Sequence, residues 1–295
     1  MWRWLIVGPV VAILTVGCGS DGGTGDVADS RIPVVAAFYP VAEAAQRVGG
    51  SCVSVENLTP PGAEPHDLEL TPDQIDTIQD AAIVFVMGRG FQPGLEDAAD
   101  QRGGPTVKLL DELELEGPGA SDPHVWLDPV RYTEVVNAVA RELTRAAPEC
   151  RRQITSNAVT FTAEIDVVAD EYADGLRACD RRTIVTAHDS FGHLARRFGL
   201  EQVGIAGISP DEEPNASRLA DLADRVLRDG ITTIFTEELV SPRVADALAR
   251  EAGGVRTATL NPLEGLTEAQ ARRGEDWASV MRVNLATLRA ALGCR

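Results

Sequence analysis

The sequence predicts an α/β protein of two doubly wound (βα)4-type lobes joined by one long rigid helix. Three observations lead there. Short apolar runs alternate with helical patterns through residues 31–150, and the alternation restarts after residue 180. Between the two series, Arg151 to Ala178 holds no proline and no glycine before Gly175, with Phe161, Ile165, Val168 and Tyr172 at helical spacing. With 44% apolar residues in a chain of 295, there is material for a core in each half.

In the first half, Ile32 to Phe38 reads as a strand, followed by the helical pattern Val41 to Val48, which Gly49-Gly50 closes. Cys52 to Leu58 alternates like a strand, and Thr71-Pro72-Asp73 reads as the cap and first turn of a helix to Ala81. Ile83 to Met87 and Thr106 to Leu110 are further strands, and Pro129 opens a helix to Ala147. The segment Arg151 to Ala178 would span about 40 Å at about 1.5 Å per residue, a stiffer join than a Gly/Ser linker. In the second half, Thr183–Ala187, Gln202–Ile208, Ile231–Thr236 and Val255–Leu260 read as strands. Phe191–Phe198, Ala216–Arg228, Val244–Ala252 and Asp276–Leu292 read as helices. Two such lobes on one rod make a cleft, and ligands of open α/β sheets sit beyond the carboxyl ends of the strands.

The N-terminus sets the compartment. Leu5 to Val16 is an uncharged apolar run after Arg3, too short to span a membrane, which takes about 20 residues, but suited to a signal-peptide core. It runs into Leu14-Thr15-Val16-Gly17-Cys18, similar to a bacterial lipoprotein cleavage site, although Thr15 stands where that pattern has Leu. The expected organisation is a signal peptide (1–17), a flexible tether (18–30) lipidated at Cys18, an N-terminal lobe (31–150), the connecting helix (151–179) and a C-terminal lobe (180–295). A formal net charge of -18 argues against a duplex-binding surface, which needs clustered Lys and Arg. Cys52, Cys150, Cys179 and Cys294 remain, an even set suited to disulfides in an exported protein, with three connectivities open.

Histidine placement carries the functional argument. His66 lies in Pro60-Pro61-Gly62-Ala63-Glu64-Pro65-His66-Asp67 after the second strand, and His124 in Asp122-Pro123-His124-Val125-Trp126-Leu127-Asp128-Pro129 before a helix. His188 ends the first strand of the second half. His193, five positions on, is turned about 140° from it on a helix of about 100° per residue and is not expected to bind with it. Glu264 lies in the loop after the last strand, which suggests that His66 and Glu264 end equivalent strands of opposite halves. Three neutral imidazoles and one carboxylate suit a tetrahedral divalent ion, zinc above all. Asp67, Asp128 and Asp189, each near a histidine in sequence, are the expected acceptors for the second imidazole N–H.

Pro61-Gly62-x-x-Pro65-His66-Asp67, Asp122-Pro123-His124-x-Trp126-Leu127-Asp128-Pro129, His188-Asp189-x-Phe191-Gly192 and Asn261-Pro262-Leu263-Glu264-Gly265-Leu266-Thr267 resemble the cluster A-I substrate-binding proteins. These are the zinc- and manganese-capturing lipoproteins of bacterial ABC importers. Met281-Arg282-x-Asn284-Leu285-x-x-Leu288 fits the same family, and the resemblance covers residues 31–293. It implies a metal buried in the interlobe cleft, held by His66, His124, His188 and a fourth, acidic residue. Many members have Asp where this chain has Asn261; a streptococcal-type zinc subgroup has Asn-Pro-Leu-Glu with the glutamate as ligand, so the resemblance assigns Glu264. Manganese members tend to carry a carboxylate in the third position, so His188 points to Zn2+, with Mn2+ the alternative cargo.

This chain departs from the family in two places. Glu112 to Asp122 is short and without histidine where many zinc members carry a long His-rich loop, and His193 replaces a common aromatic. The resemblance further implies a monomer, lipid-anchored outside the bacterial cell membrane, that serves the permease subunits of an ABC importer and is not an enzyme. The competing classes are a zinc hydrolase, for which no H-E-x-x-H is present, and a surface adhesin. With a continuous connecting helix, Cys150 and Cys179 sit at its opposite ends, so the architecture favours Cys52–Cys150 and Cys179–Cys294.

Overall fold

A computed structural model describes residues 1–2, 31–117, 119–212 and 214–295. The expected lipidation site Cys18, the tether and the apolar signal segment lie outside the described residues. In the first half, β1 (Ile32–Ala36), β2 (Val53–Asn57), β3 (Ile83–Val86) and β4 (Thr106–Lys108) form a sheet in the order β2-β1-β3-β4. The second half repeats that order, β6-β5-β7-β8, with β5 (Thr183–Thr186), β6 (Glu201–Gly204), β7 (Thr233–Thr236) and β8 (Arg256–Thr259). All pairings are parallel, so helices must cross over between strands. They are α1 (Tyr39–Gly49), α2 (Pro72–Asp80) and α3 (Pro93–Asp100), then α6 (Gly192–Arg197), α7 (Ala216–Arg228) and α8 (Arg243–Glu251). Helices α4 (Pro129–Ala146) and α5 (Arg151–Gly175) lie between the sheets in sequence, and α9 (Glu268–Arg273) and α10 (Trp277–Leu292) close the chain. Among the described residues, no helix is long and apolar enough to cross a membrane.

Local signals account for the elements. Thr71 caps α2 in a capping box with Gln74, and Asp276 caps α10 with Ser279, so both helices start where side chains absorb free N–H groups. Every residue of β3 is buried, as in a strand covered on both faces. Two helices, α3 and α9, are absent from the sequence reading; each is short, with too few apolar residues to show a period. The third expected strand of the second half does end at Thr236, but the second is shorter than its apolar run: β6 stops at Gly204, although Ile205 N and Ala206 N still donate to the Thr186 and Ala187 carbonyls. The sheet order also corrects one expectation. β2 is the counterpart of β6 and β8 of β4, so His66 and Glu264 follow strands on opposite flanks of the pattern.

α5 is 25 residues, about 38 Å at about 1.5 Å per residue. Its buried stripe, Ile154, Ala158, Phe161, Ile165, Val168 and Tyr172, steps by three and four residues along one face. That face packs on α1 and α4 of the first half and on α10. α10 crosses the same boundary: Tyr132 of α4 stacks on Trp277 at 5.0 Å, and the Tyr172 hydroxyl donates to the Met281 carbonyl at 2.7 Å. One apolar cluster therefore runs from the first sheet through α5 and α10 to Ile184 and Leu260, and a smaller one fills the outer part of the second lobe.

Disulfides pin both ends of α5: Cys52–Cys150 at its start and Cys179–Cys294 after its end. They close sequence separations of 98 and 115 residues, for which chain-entropy reasoning gives about 4–5 kcal/mol each as an upper figure. Replacing Cys52 and Cys150 together by Ala is expected to lower stability by about 2–4 kcal/mol in denaturant titration while leaving metal affinity unchanged. A matching loss of metal affinity would mean that the bridge shapes the cleft as well.

Candidate metal centre

Each of the four residues singled out lies beyond the carboxyl end of a strand. His66 follows β2, His124 follows β4, His188 lies two residues past β5, and Glu264 follows β8. Two come from each half, and the structure brings all four together, with donor atoms within 4.8 Å of one another. The Nε2 atoms of His66, His124 and His188 stand 3.4, 3.1 and 3.1 Å from one atom, Glu264 Oε1. A tetrahedral ion with bonds of about 2.0–2.1 Å separates its donors by about 3.3–3.4 Å, and the three distances from Glu264 Oε1 are close to that. His124 and His188 are 0% exposed and Glu264 1%; only His66 reaches the surface. Glu264 Oε2 is buried with no hydrogen-bond partner among the described residues, an arrangement that is costly unless a cation is received there.

Asp122 Oδ1 accepts both the His124 main-chain N–H (3.0 Å) and its Nδ1–H (2.9 Å). Glu237, at the end of β7, does the same for His188: both carboxylate oxygens lie within 2.9 Å of Nδ1, and Oε1 is 3.3 Å from the main-chain N. With Nδ1 protonated and held, each ring must turn its Nε2 lone pair into the cleft. The aspartates expected in this role are engaged elsewhere. Asp128 caps α4 through Val130 N and pairs with Arg197 at 2.9 Å, Asp189 accepts from Gly204 N at 2.8 Å, and the Asp67 carboxyl gathers with those of Glu64 and Asp211. Adjacency in sequence misled because a residue next to a histidine in a loop points away from it. Topology held the better signal for Glu237: β5 and β7 are neighbours, so the residue after β7 lies beside the loop after β5.

Burial alone would neutralise Glu264, but His188 above all, with His124 and His66, holds its carboxyl well below the usual carboxylate range. Burial likewise opposes charging His188, and the carboxylates of Glu264 and Glu237 outweigh it, raising the imidazole well above its ordinary value. His124 is raised in the same way by Asp122 and Glu264 against its burial.

The loops are held as firmly as the rings. Asn261 is not directed at the cluster: its side-chain oxygen accepts Leu263 N at 2.6 Å, and Asn284 of α10 brackets its backbone with bonds of 2.9 and 2.7 Å. This turn places Leu263 at φ 56, a left-handed conformation costly for a side-chain-bearing residue, and aims Glu264 inward. Trp126 links the loops that carry His124 and Glu264: its indole N–H donates to Pro262 O at 2.8 Å, and its carbonyl accepts the Trp277 indole N–H at 2.9 Å. Phe91 meets His66 edge-on at 4.5 Å and joins Phe38 and Trp126 in an aromatic wall. His193 stands outside the cluster; α6 begins only at Gly192, so the helical angle to His188 does not apply, and its Nε2 donates to Asp122 O at 2.9 Å. Beside His66, the carboxylates of Glu64, Asp67 and Asp211 gather from both halves, and burial with the nearby Glu264 charge pushes Glu64 up to about 8.

The family described as the zinc-uptake complex component A, periplasmic (ZnuA), matches residues 34–291. The chain is 34% identical to the zinc-binding lipoprotein AdcA of Streptococcus pneumoniae over 97% of its own length. It spans 60% of the length of that relative. The high-affinity zinc uptake system protein ZnuA of Bacillus subtilis is 31% identical, with 99% of this chain and 98% of that protein covered. The crystal structure of the Zn(II)-bound ZnuA-like domain of Streptococcus pneumoniae AdcA superposes with a TM-score of 0.76 at 36% identity, over 89% of this chain and 99% of that one. A family match that runs through both sheets, the connecting helix and all four loops places the chain in the ZnuA family of zinc-uptake components.

Proposed function

We propose that this chain captures one Zn2+ outside the cell membrane with His66, His124, His188 and Glu264, and hands it to the permease subunits of an ABC importer. The observation that carries this reading is the convergence of three imidazole Nε2 atoms on one buried carboxylate oxygen. Four protein donors close a tetrahedron, which leaves no position for the bound water that a zinc hydrolase activates. Three nitrogens in a dry pocket suit zinc better than manganese, which prefers oxygen donors and more of them. Cys18 would carry the lipid that keeps the captor at the membrane, acting as a single copy. Zinc-binding relatives and a zinc-bound neighbouring structure support the choice of cargo.

The direct test is a zinc titration of the purified protein beside Glu264→Ala. One zinc per chain is expected, with affinity in the variant reduced by more than about 100-fold, beyond the range seen when only an outer partner is lost. Tight binding that survives the substitution would hand the fourth position to water and revive the hydrolase.

Glu237→Gln keeps the size of the side chain but removes the charge that holds His188 Nδ1–H. Zinc affinity is expected to drop by about 10- to 100-fold with the fold intact, read by chelator competition and circular dichroism. No change would show that His188 is aligned by the Thr186 and Gln202 bonds to its carbonyl instead.

Proton competition gives a third expectation. Zinc takes only deprotonated Nε2, and His124 and His188 are both raised above the ordinary histidine value of about 6.5. A raised imidazole keeps its proton until pH climbs through the raised value, so apparent affinity should fall with decreasing pH and still be rising above pH ~6.5. Calorimetry at neutral pH in buffers of different ionisation enthalpy should register proton release on zinc binding; buffer-independent heats would refute this account.

A further inference from the structure

We propose that His193 positions His124 from the opposite half of the molecule by holding Asp122, a role that rests on the zinc-capture reading above. His193 is a buried histidine that the four-donor site does not use. It belongs to α6 of the second lobe, 71 residues from Asp122, and its Nε2–H donates to the Asp122 carbonyl at 2.9 Å. Asp122 is in turn the residue whose Oδ1 fixes the His124 ring and main chain. Two histidines of opposite lobes are thus linked through one aspartate, and one of them faces the cargo.

The surroundings of Asp122 show that α6 wraps the side of the aspartate away from His124. Its second oxygen, Oδ2, lies 3.5 Å from Arg196 Nη2 and 3.8 Å from His193 Nε2. A Cβ on Gly192 would come within 2.5 Å of that oxygen, so the absence of a side chain there allows the approach. Arg197 adds a third grip on the same stretch through Asp128 at 2.9 Å. On its own side, Asp122 ends an irregular segment, and its main-chain N–H closes only a turn onto Gly119 O at 3.0 Å. The direction of its carboxylate therefore depends on contact with α6. An aromatic ring at position 193 would fill the same space without an N–H to offer, leaving the buried Asp122 carbonyl short of a donor. Trp126 secures the other side of His124 by its bond to Pro262 O, so the loop 122–126 is tied to the second lobe on both sides of this imidazole.

The test compares His193→Phe and His193→Gln with the wild type in the purified protein, reading zinc affinity by chelator competition and ligand geometry from the visible absorption of bound Co2+. The Phe variant is expected to lose roughly tenfold in affinity, the lower end for an outer partner, with an altered Co2+ band. The Gln variant, whose amide can still donate to the carbonyl, is expected to recover most of both. A folded His193→Phe with wild-type affinity and an unchanged Co2+ spectrum would overturn the proposal and reduce His193 to packing. If the wild type itself takes no zinc, the capture reading fails and this role falls with it, an outcome distinct from the last. Should the Phe variant not fold, proton–nitrogen correlation of the imidazoles in the wild type decides: an Nε2–H tautomer at His193 protected from solvent is expected, and an Nδ1–H tautomer overturns it.

Discussion

A buried glutamate dictates the design of this protein. Glu264 is 1% exposed, and an isolated carboxylate so far from water would sit in its neutral form. It stays ionised because three imidazoles surround one of its oxygens, and two of those imidazoles are backed by further carboxylates, Asp122 and Glu237. The result is a nest of alternating charge: outer carboxylates, imidazoles, inner carboxylate. Opposite charges therefore alternate outward from Glu264 through the His124 and His188 rings to Asp122 and Glu237. The two sheets with their carboxyl ends turned to one cleft are what allows four loops to supply those groups at once.

Such a nest works only if its two sides are held in register, since each lobe contributes two donors. The holding is done by buried hydrogen bonds more than by the sheets. Glu43 of α1 accepts Trp277 N at 3.0 Å, Trp277 donates to Trp126 O, and Trp126 donates to Pro262 O, two residues before Glu264. This chain of contacts passes from the first lobe through α10 to the ligand loop of the second. A disulfide at each end of α5 fixes the connecting helix to the half it adjoins.

Much of this was legible in the sequence because the relevant signals are local. Caps at Thr71 and Asp276, breakers at Gly49-Gly50, and β-branched runs such as Ile83-Val84 mark elements within a few residues of their ends. His66, His124 and His188 were also legible, since histidine is rare here and each lies in a loop at a strand end or before a helix. What stayed hidden is non-local. The chain has 45 acidic residues, and nothing local distinguishes Glu237 or Asp122 from Asp189 or Asp128. Their roles emerge only when β7 is laid beside β5 and the turn at Gly119 folds Asp122 back onto His124. Helices α3 and α9 escaped for a simpler reason: at 8 and 6 residues they are too short for a periodic stripe.

The same packing bears on the choice between zinc and manganese. Manganese would seek two further oxygen donors beyond the four groups present. Glu264 Oε2 could supply one by bidentate binding, since it has no other partner. The next would have to come from water or from a second carboxylate, and the aromatic side of the cluster offers neither. Phe91 and Trp126 wall the first lobe's side, their rings 6.3 and 5.2 Å from that of His124, and both carboxylates nearest the imidazoles are bound through Nδ1 and face away from the cargo. Among the described residues, the cluster meets solvent at His66, where Glu64, Asp67 and Asp211 gather. If these four residues hold the ion, as proposed above, the outer carboxylates would strengthen nitrogen donation, and the aromatic wall would confine any extra oxygen donor to the His66 side.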